Sequence, residues 1–217
     1  MMGQISTACK LPTGDSPSEK YSNAVLQSIY SRRSVRNYKP DLVPDEILLE
    51  VIKAGIYAPT AANQQVWRFS VITDKSVIDR YSERAKKLWL KFIPLRMAAL
   101  LGIGGGKVAR IVKMMQTSDL HIFHHAPALV FIFAPKGITV ELDCAAATQN
   151  MLLAAQSLGV GSCWIGFAMP LGNDKKTRAE LKIPKGYKPI AAMVFGYPVN
   201  EARKAPTRNE DVLLGWT

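Results

Sequence analysis

DCAAATQNMLLAAQSLGVGSCWIGF, residues Asp143–Phe167 of a 217-residue chain, holds two kinds of patterning in one run. Its first part is Ala-rich and apolar on most faces, and continues a helix predicted over Leu142–Leu158. Gly159 and Gly161 end that helix. Ser162–Phe167 then has the length and composition of a short strand. A mostly apolar helix needs cover on several sides, so it belongs to the interior of a layered domain.

The same alternation extends outward. Trp67–Thr73 (WRFSVIT), Ala128–Ala134 (ALVFIFA) and Ile190–Gly196 (IAAMVFG) read as strands, the last two as buried ones. Tyr21–Ser31 pairs Val25 with Ile29 and Leu26 with Tyr30 at helical spacing. Pro44, followed by Asp45 and Glu46, starts a helix through Ile56 that Ala58-Pro59 stops. Val77–Gln116 is helical in pattern but broken by Pro94 and by Gly102, Gly104, Gly105 and Gly106. Asn173 is a candidate cap for a helix over Lys175–Leu181. Helices interleaved with strands, without an internal repeat, predict a three-layer α/β or α+β domain over residues 21–217. Residues 1–20 are small, polar and Pro/Gly/Ser-rich and read as a loosely ordered arm.

Composition narrows the function classes. The chain is 48% hydrophobic, enough for a real core, and carries 28 Lys+Arg against 17 Asp+Glu, a net charge of +11. That balance suits nucleic acid, a membrane surface or an anionic small molecule. The longest apolar runs, Met97–Gly106 and Ala126–Pro135, fall short of the ~20 residues of a spanning helix. Cys9, Cys144 and Cys163 show no C-x-x-C spacing, which excludes a zinc ribbon and fits a reducing cytosol. His121, His124 and His125 crowd five residues without a second ligand set, so no metal is expected. Cys163 reads as a small buried hydrophobe.

Two segments carry chemistry. Arg32-Arg33-Ser34-Val35-Arg36-Asn37-Tyr38 places a hydroxyl among guanidinium forks, a donor set suited to phosphate. Ala58–Phe69 (APTAANQQVWRF) offers uncharged amides and small residues next to a strand. Such groups match the N–H and C=O edges of a flat heterocycle.

In order, RRSVRNY at Arg32–Tyr38, APTAANQQVWRF at Ala58–Phe69, the Asp143–Phe167 run and IAAMVFGYP at Ile190–Pro198 resemble the nitroreductase family of flavin enzymes. The resemblance covers roughly residues 22–217. It implies an α+β fold, a three-layer α/β/α domain whose central sheet is mixed but mostly antiparallel. It further implies a homodimer with non-covalent FMN at the interface, hydride transfer from NADH or NADPH to flavin N5, and ping-pong reduction of nitroaromatic, quinone or similar acceptors. By position, Arg32 and Ser34 match phosphate and ribityl contacts, with Arg33 between them, and Arg36 matches the basic residue near flavin N1 and the C2 carbonyl. Pro59, Thr60 and Asn63 match the loop on the isoalloxazine, supplied by the partner chain. Ile165 and Gly166 match the backbone at N5. Arg208, ahead of Lys204, matches a basic residue that closes on the phosphate.

Thr60-Ala61 replaces the usual Ser-Gly and Val66 the usual Pro, which touches ring contacts and leaves the cofactor expectation intact. Reductive dehalogenation or another specialised flavin reaction uses the same motifs. A basic nucleic-acid-binding domain is the non-enzymatic alternative, without a zinc finger, helix-turn-helix or RNA-binding signature to support it. The run 84–118 holds eight basic residues and no acidic one. It reads either as an amphipathic cover or as a basic lid that steers an anionic substrate.

Overall fold

The computed structural model describes residues 22–91, 107–117, 119–200, 204–209 and 212. The expected arm at 1–20 and the glycine-rich break at 102–106 lie outside them. Four strands, β1 (Arg68–Ile72), β2 (Ala128–Ala134), β3 (Gly161–Trp164) and β4 (Lys188–Gly196), form one sheet in the order β1-β2-β4-β3. Every pairing between them is antiparallel. Among the described residues, the parallel component of the expected mixed sheet is a single bridge, Ser34 to Ser162.

All seven residues of β2 are buried. Its side chains still alternate. Ala128, Val130 and Ile132 face α2 (Asp45–Ile56) and α5 (Val140–Ser157). Leu129, Phe131 and Phe133 face the opposite core, with α3 (Lys75–Lys91) and the 3-10 segment Gly166–Asn173. A seven-residue apolar run is therefore a strand covered on both sides, and the layers are helix, sheet, helix. Pro189 sits beside the register shift at Ile132/Phe133, where a missing N–H is tolerated.

Helix α5 buries Cys144, Ala147, Thr148, Met151, Leu152 and Ala155, which is one stripe at helical spacing. Its other side is wetter than the composition predicts, and Leu142 is exposed. Small residues on the stripe let α2 come close, and a Cβ at Gly55 would stand 2.7 Å from Met151 Cγ. Asn150 ties the helices by donating to the Ala54 carbonyl at 3.2 Å.

The remaining helices are α1 (Ala24–Ser31), α4 (Lys107–Gln116) and α6 (Lys175–Glu180). Asn23 caps α1 by accepting from the Val25 and Leu26 amides, each at 3.0 Å. The cap of α6 is Asp174 and not Asn173: its carboxylate accepts from the Thr177 amide at 3.0 Å. Both residue types cap well, and the first helical residue, Lys175, decides between them.

Arg84 of α3 grips Glu180 of α6 through both guanidinium nitrogens, at 2.8 and 3.0 Å. These bonds, with help from the Tyr81 hydroxyl, hold the Glu180 carboxyl down to about 2, against 4.5 ordinarily. The stabilisation is therefore whole above pH 4.5 and is lost as pH falls toward 2. Glu180→Gln should lower stability by on the order of 1 kcal/mol at pH 7, since the pair is partly screened by solvent. Melting curves of the two proteins should converge between pH 4.5 and 2, and a gap unchanged at pH 2 would refute the assignment.

Candidate functional site

Arg32–Tyr38 leaves α1 and runs along the free edge of β3. The Val35 amide donates to the Ser162 carbonyl at 3.0 Å, and further on the Lys39 amide donates to Tyr197 O at 2.8 Å. Tyr38 anchors the run internally, its hydroxyl donating to Val35 O at 2.7 Å. The close approach needs glycines beneath it. Gly161 and Gly196 are opposite each other in the β3–β4 register. A Cβ at Gly161 would meet Val35 Cγ2 at 2.8 Å, and one at Gly196 would meet Tyr38 Cδ1 at 2.8 Å.

This placement gathers positive charge. Burial first, then the neighbouring guanidinium groups of Arg33 and Arg208, pull Arg32 below its ordinary value. Arg208, exposed on the C-terminal segment, lies near enough to Arg32 to act on it as a like charge. Like charges around a half-buried guanidinium fit an anion among them. Arg33 is oriented differently. Its Nη1 donates to the carbonyls of Tyr30 and Arg32 at 2.6 and 2.8 Å, and it lines a small hollow with Gly159 and Pro198. Its near-neighbour effect on the cluster is electrostatic.

A cavity of about 500 Å³ opens beside Arg36, at the end of β3 and the start of the 3-10 segment. Cys163, Ile165 and Gly166 form one wall; Trp89 of α3, Met114 of α4 and His124 stand on others. Its size is that of a small-molecule site. A Cβ at Gly166 would meet nothing within 4 Å, so the backbone there is open to a flat ligand. Cys163 is 2% exposed, and burial pushes its thiol up despite Arg36 and the Ser34 hydroxyl nearby. It stays protonated and packs as an apolar group.

Pro59, Thr60 and Asn63 do not line this cavity. They belong to an exposed loop in which Ala62, Asn63 and Gln65 all have left-handed backbone, with φ of 50, 54 and 48°. The Asn63 side chain accepts from Gln65 Nε2 at 2.8 Å. Asp143, nine-tenths buried on α5, accepts from the Ala61 amide at 3.3 Å and ties the loop down. Asp143→Ala should cost about 1 kcal/mol and speed hydrogen exchange at the Ala61 amide. Unchanged protection at Ala61 would contradict the tie.

Sequence reasoning missed Trp89 and His124 as cavity residues. Trp89 Nε1 donates to Phe167 O at 2.8 Å, and its ring meets Phe167 edge to face, centroids 5.5 Å apart. The signal was present in the aromatic and Met residues scattered through the basic run. Two of that run's cations are structural: Arg84 holds Glu180, and Lys86, almost wholly buried, pairs with Glu83 at 2.5 Å. Ligating atoms of Asp79, His121 and His125 lie within 4.8 Å of one another. They are wired by hydrogen bonds. The His125 amide donates to His121 Nδ1 at 3.1 Å, so Nε2 carries the proton and donates to Asp79 at 3.0 Å. A metal at Nε2 would have to break that arrangement.

Known proteins resemble this chain in sequence and fold. An Archaeoglobus fulgidus protein provisionally named NADH dehydrogenase/NAD(P)H nitroreductase is 31% identical, over 81% of this chain and 86% of its own. A Bacillus subtilis FMN reductase [NAD(P)H] is 27% identical, over 85% of this chain and 70% of its own. The crystal structure of a Bacteroides fragilis nitroreductase with bound FMN superposes with a TM-score of 0.73 at 28% identity, covering 90% of this chain and all of the other. The Nitroreductase family model matches residues 29–197, a span that holds the Arg32–Tyr38 run, the Ala58–Phe69 segment and Gly166: the chain belongs to the nitroreductase family.

Proposed function

We propose that the protein is an FMN-dependent oxidoreductase that oxidises NADH or NADPH and reduces nitroaromatic, quinone or similar acceptors by a ping-pong mechanism. The observation that carries this reading is the Arg32–Arg208 cluster beside a cavity whose wall is open at Gly166. Bound FMN would supply hydride acceptance at N5 and onward electron transfer. The chain's residues do the holding. Arg32, Ser34 and Arg208 offer donors to a phosphate and ribityl chain. Arg36 brings a positive charge to the N1 and C2-carbonyl side, where it would favour electron gain. The backbone at Ile165 and Gly166 leaves room for a ring face. Trp89 and Phe167 narrow the remaining space to flat, apolar molecules.

The reading includes a homodimer. Among the described residues, Pro59, Thr60 and Asn63 do not line the cavity beside Arg36, so their expected ring contacts call for a second copy. Val25 and Ile29 of α1, Leu49 and Ile56 of α2, Leu142 and Tyr57 are exposed apolar side chains available to cover it. We place the protein in the cytoplasm, since Cys144 and Cys163 are free thiols. Among the described residues, no helix is long and apolar enough to cross a membrane.

The test is the visible spectrum of the purified protein with NADH or NADPH added anaerobically. A yellow protein that releases FMN and bleaches supports the reading, and the faster nucleotide identifies the donor. A colourless protein that takes up no added FMN overturns it.

A further inference from the structure

We propose that His124 binds the electron acceptor, donating an imidazole N–H to a nitro or quinone carbonyl oxygen. The inference rests on the reading above that the cavity holds FMN with the acceptor beside it.

Three observations carry it. First, His124 lines the cavity with Arg36, and among the described residues, apart from the indoles and the Cys163 thiol, these two are its polar side chains. The Trp89 indole is already spent on Phe167 O. Second, the His124 ring is half-buried, and among the described residues its nitrogens make no hydrogen bond. His121, three residues earlier, uses both of its nitrogens. A half-buried imidazole left with its donor and acceptor free is open to a ligand.

Third, the backbone is strained to put it there. His124 and His125 are consecutive non-glycine residues in the left-handed region, with φ of 54 and 55°. Neighbouring contacts enforce the conformation. The Ile122 amide donates to Ser82 Oγ at 2.8 Å, the His124 amide to His121 O at 3.0 Å, and His121 is held by Asp79. The result sends one imidazole into the cavity while the His125 ring stacks on His121, centroids 4.0 Å apart. Such strain gathers at functional positions. Burial, with Arg36 adding to it, pushes His124 down to about 4, so at neutral pH the ring is uncharged and one nitrogen carries a hydrogen. A neutral donor recognises an oxygen without demanding a charged substrate.

Two variants test it on the FMN-loaded protein. His124→Gly removes the ring and relaxes the left-handed backbone, so folding is not at risk. His124→Gln keeps a donor. In both, FMN content and FMN Kd should stay within about two-fold of the parent. In His124→Gly, the Kd of acetophenone, an unreactive aromatic ketone followed by the absorbance of the bound flavin, should rise about ten-fold. The rate at which p-benzoquinone oxidises dithionite-reduced protein should fall about as much, while the rate with ferricyanide, which needs no oxygen contact, should hold. His124→Gln should recover most of both losses. Loss of FMN from His124→Gly, an equal fall with ferricyanide, or an unchanged acetophenone Kd would overturn the assignment. A yellow, NAD(P)H-bleached parent with an unaffected variant sinks this inference alone; a parent that binds no FMN sinks the functional reading with it.

Discussion

Arg32→Ala should weaken FMN binding by roughly 100-fold or more, because a charge-assisted contact to phosphate is among the strongest single polar contacts a site can make. The same change should leave the melting temperature of the FMN-free protein level or raise it. Arg32 is partly buried and feels the like charges of Arg33 and Arg208, and among the described residues no carboxylate pairs with it to offset that repulsion. The two signs belong together. A residue that served the fold would lose stability with its removal, whereas one placed for a ligand loses only the ligand. Arg208→Ala should cost less, about ten-fold, since Arg208 is exposed and screened. Flavin-fluorescence titration gives the affinities and thermal unfolding without FMN gives the stabilities. An Arg32→Ala protein that keeps its FMN affinity would remove the phosphate role.

Gly196→Ala should lower stability by about 2–3 kcal/mol, the upper range for overpacking. The added carbon would lie 2.6 Å from Pro127 Cδ and 2.8 Å from Tyr38 Cδ1. Neither ring can swing aside cheaply, because Pro127 is a closed ring and the Tyr38 hydroxyl is bonded to Val35 O. The entropic gain of Gly→Ala is about 0.4–1 kcal/mol and does not offset such contacts. FMN affinity should fall as well, since Tyr38 and Val35 belong to the segment that positions Arg32 and Arg36. Gly161→Ala would meet Val35 Cγ2 at 2.8 Å, Val35 Cβ at 3.1 Å and the Gly196 carbonyl oxygen at 3.2 Å, looser than the contacts at Gly196, and should cost less. Urea unfolding orders the two, and a Gly196→Ala protein as stable as the parent would refute the close-packing account.

The parts of the molecule legible in the sequence are those decided by neighbours along the chain. β2 occupies Ala128–Ala134, the span its apolar run predicts, and α2 follows Pro44 as its first-turn residues imply. The order β1-β2-β4-β3 is not local, and no periodicity encodes it. At the site, Arg32 and Arg36 stand out in the sequence as guanidinium groups near a hydroxyl, and the structure places Arg36 on the cavity. Arg33 has the same side chain, yet its fork closes on carbonyls at the end of α1, a choice of rotamer that RRSVR does not announce. His124 was hidden for a different reason. In H-x-x-H-H the ring directions depend on two left-handed residues, and ordinary backbone would point them elsewhere.

The basic segment's dependence on the free edge of β3 has a kinetic consequence. Val35 meets Ser162, and Tyr38 meets Pro198, only after strands distant in sequence have paired. The anion site is therefore among the last features to form, after the slow non-local steps. FMN has nothing to grip in a partly folded chain, so it should not accelerate refolding. Its binding energy should appear instead as slower unfolding, and the cofactor would act on this protein as a lock rather than as a template.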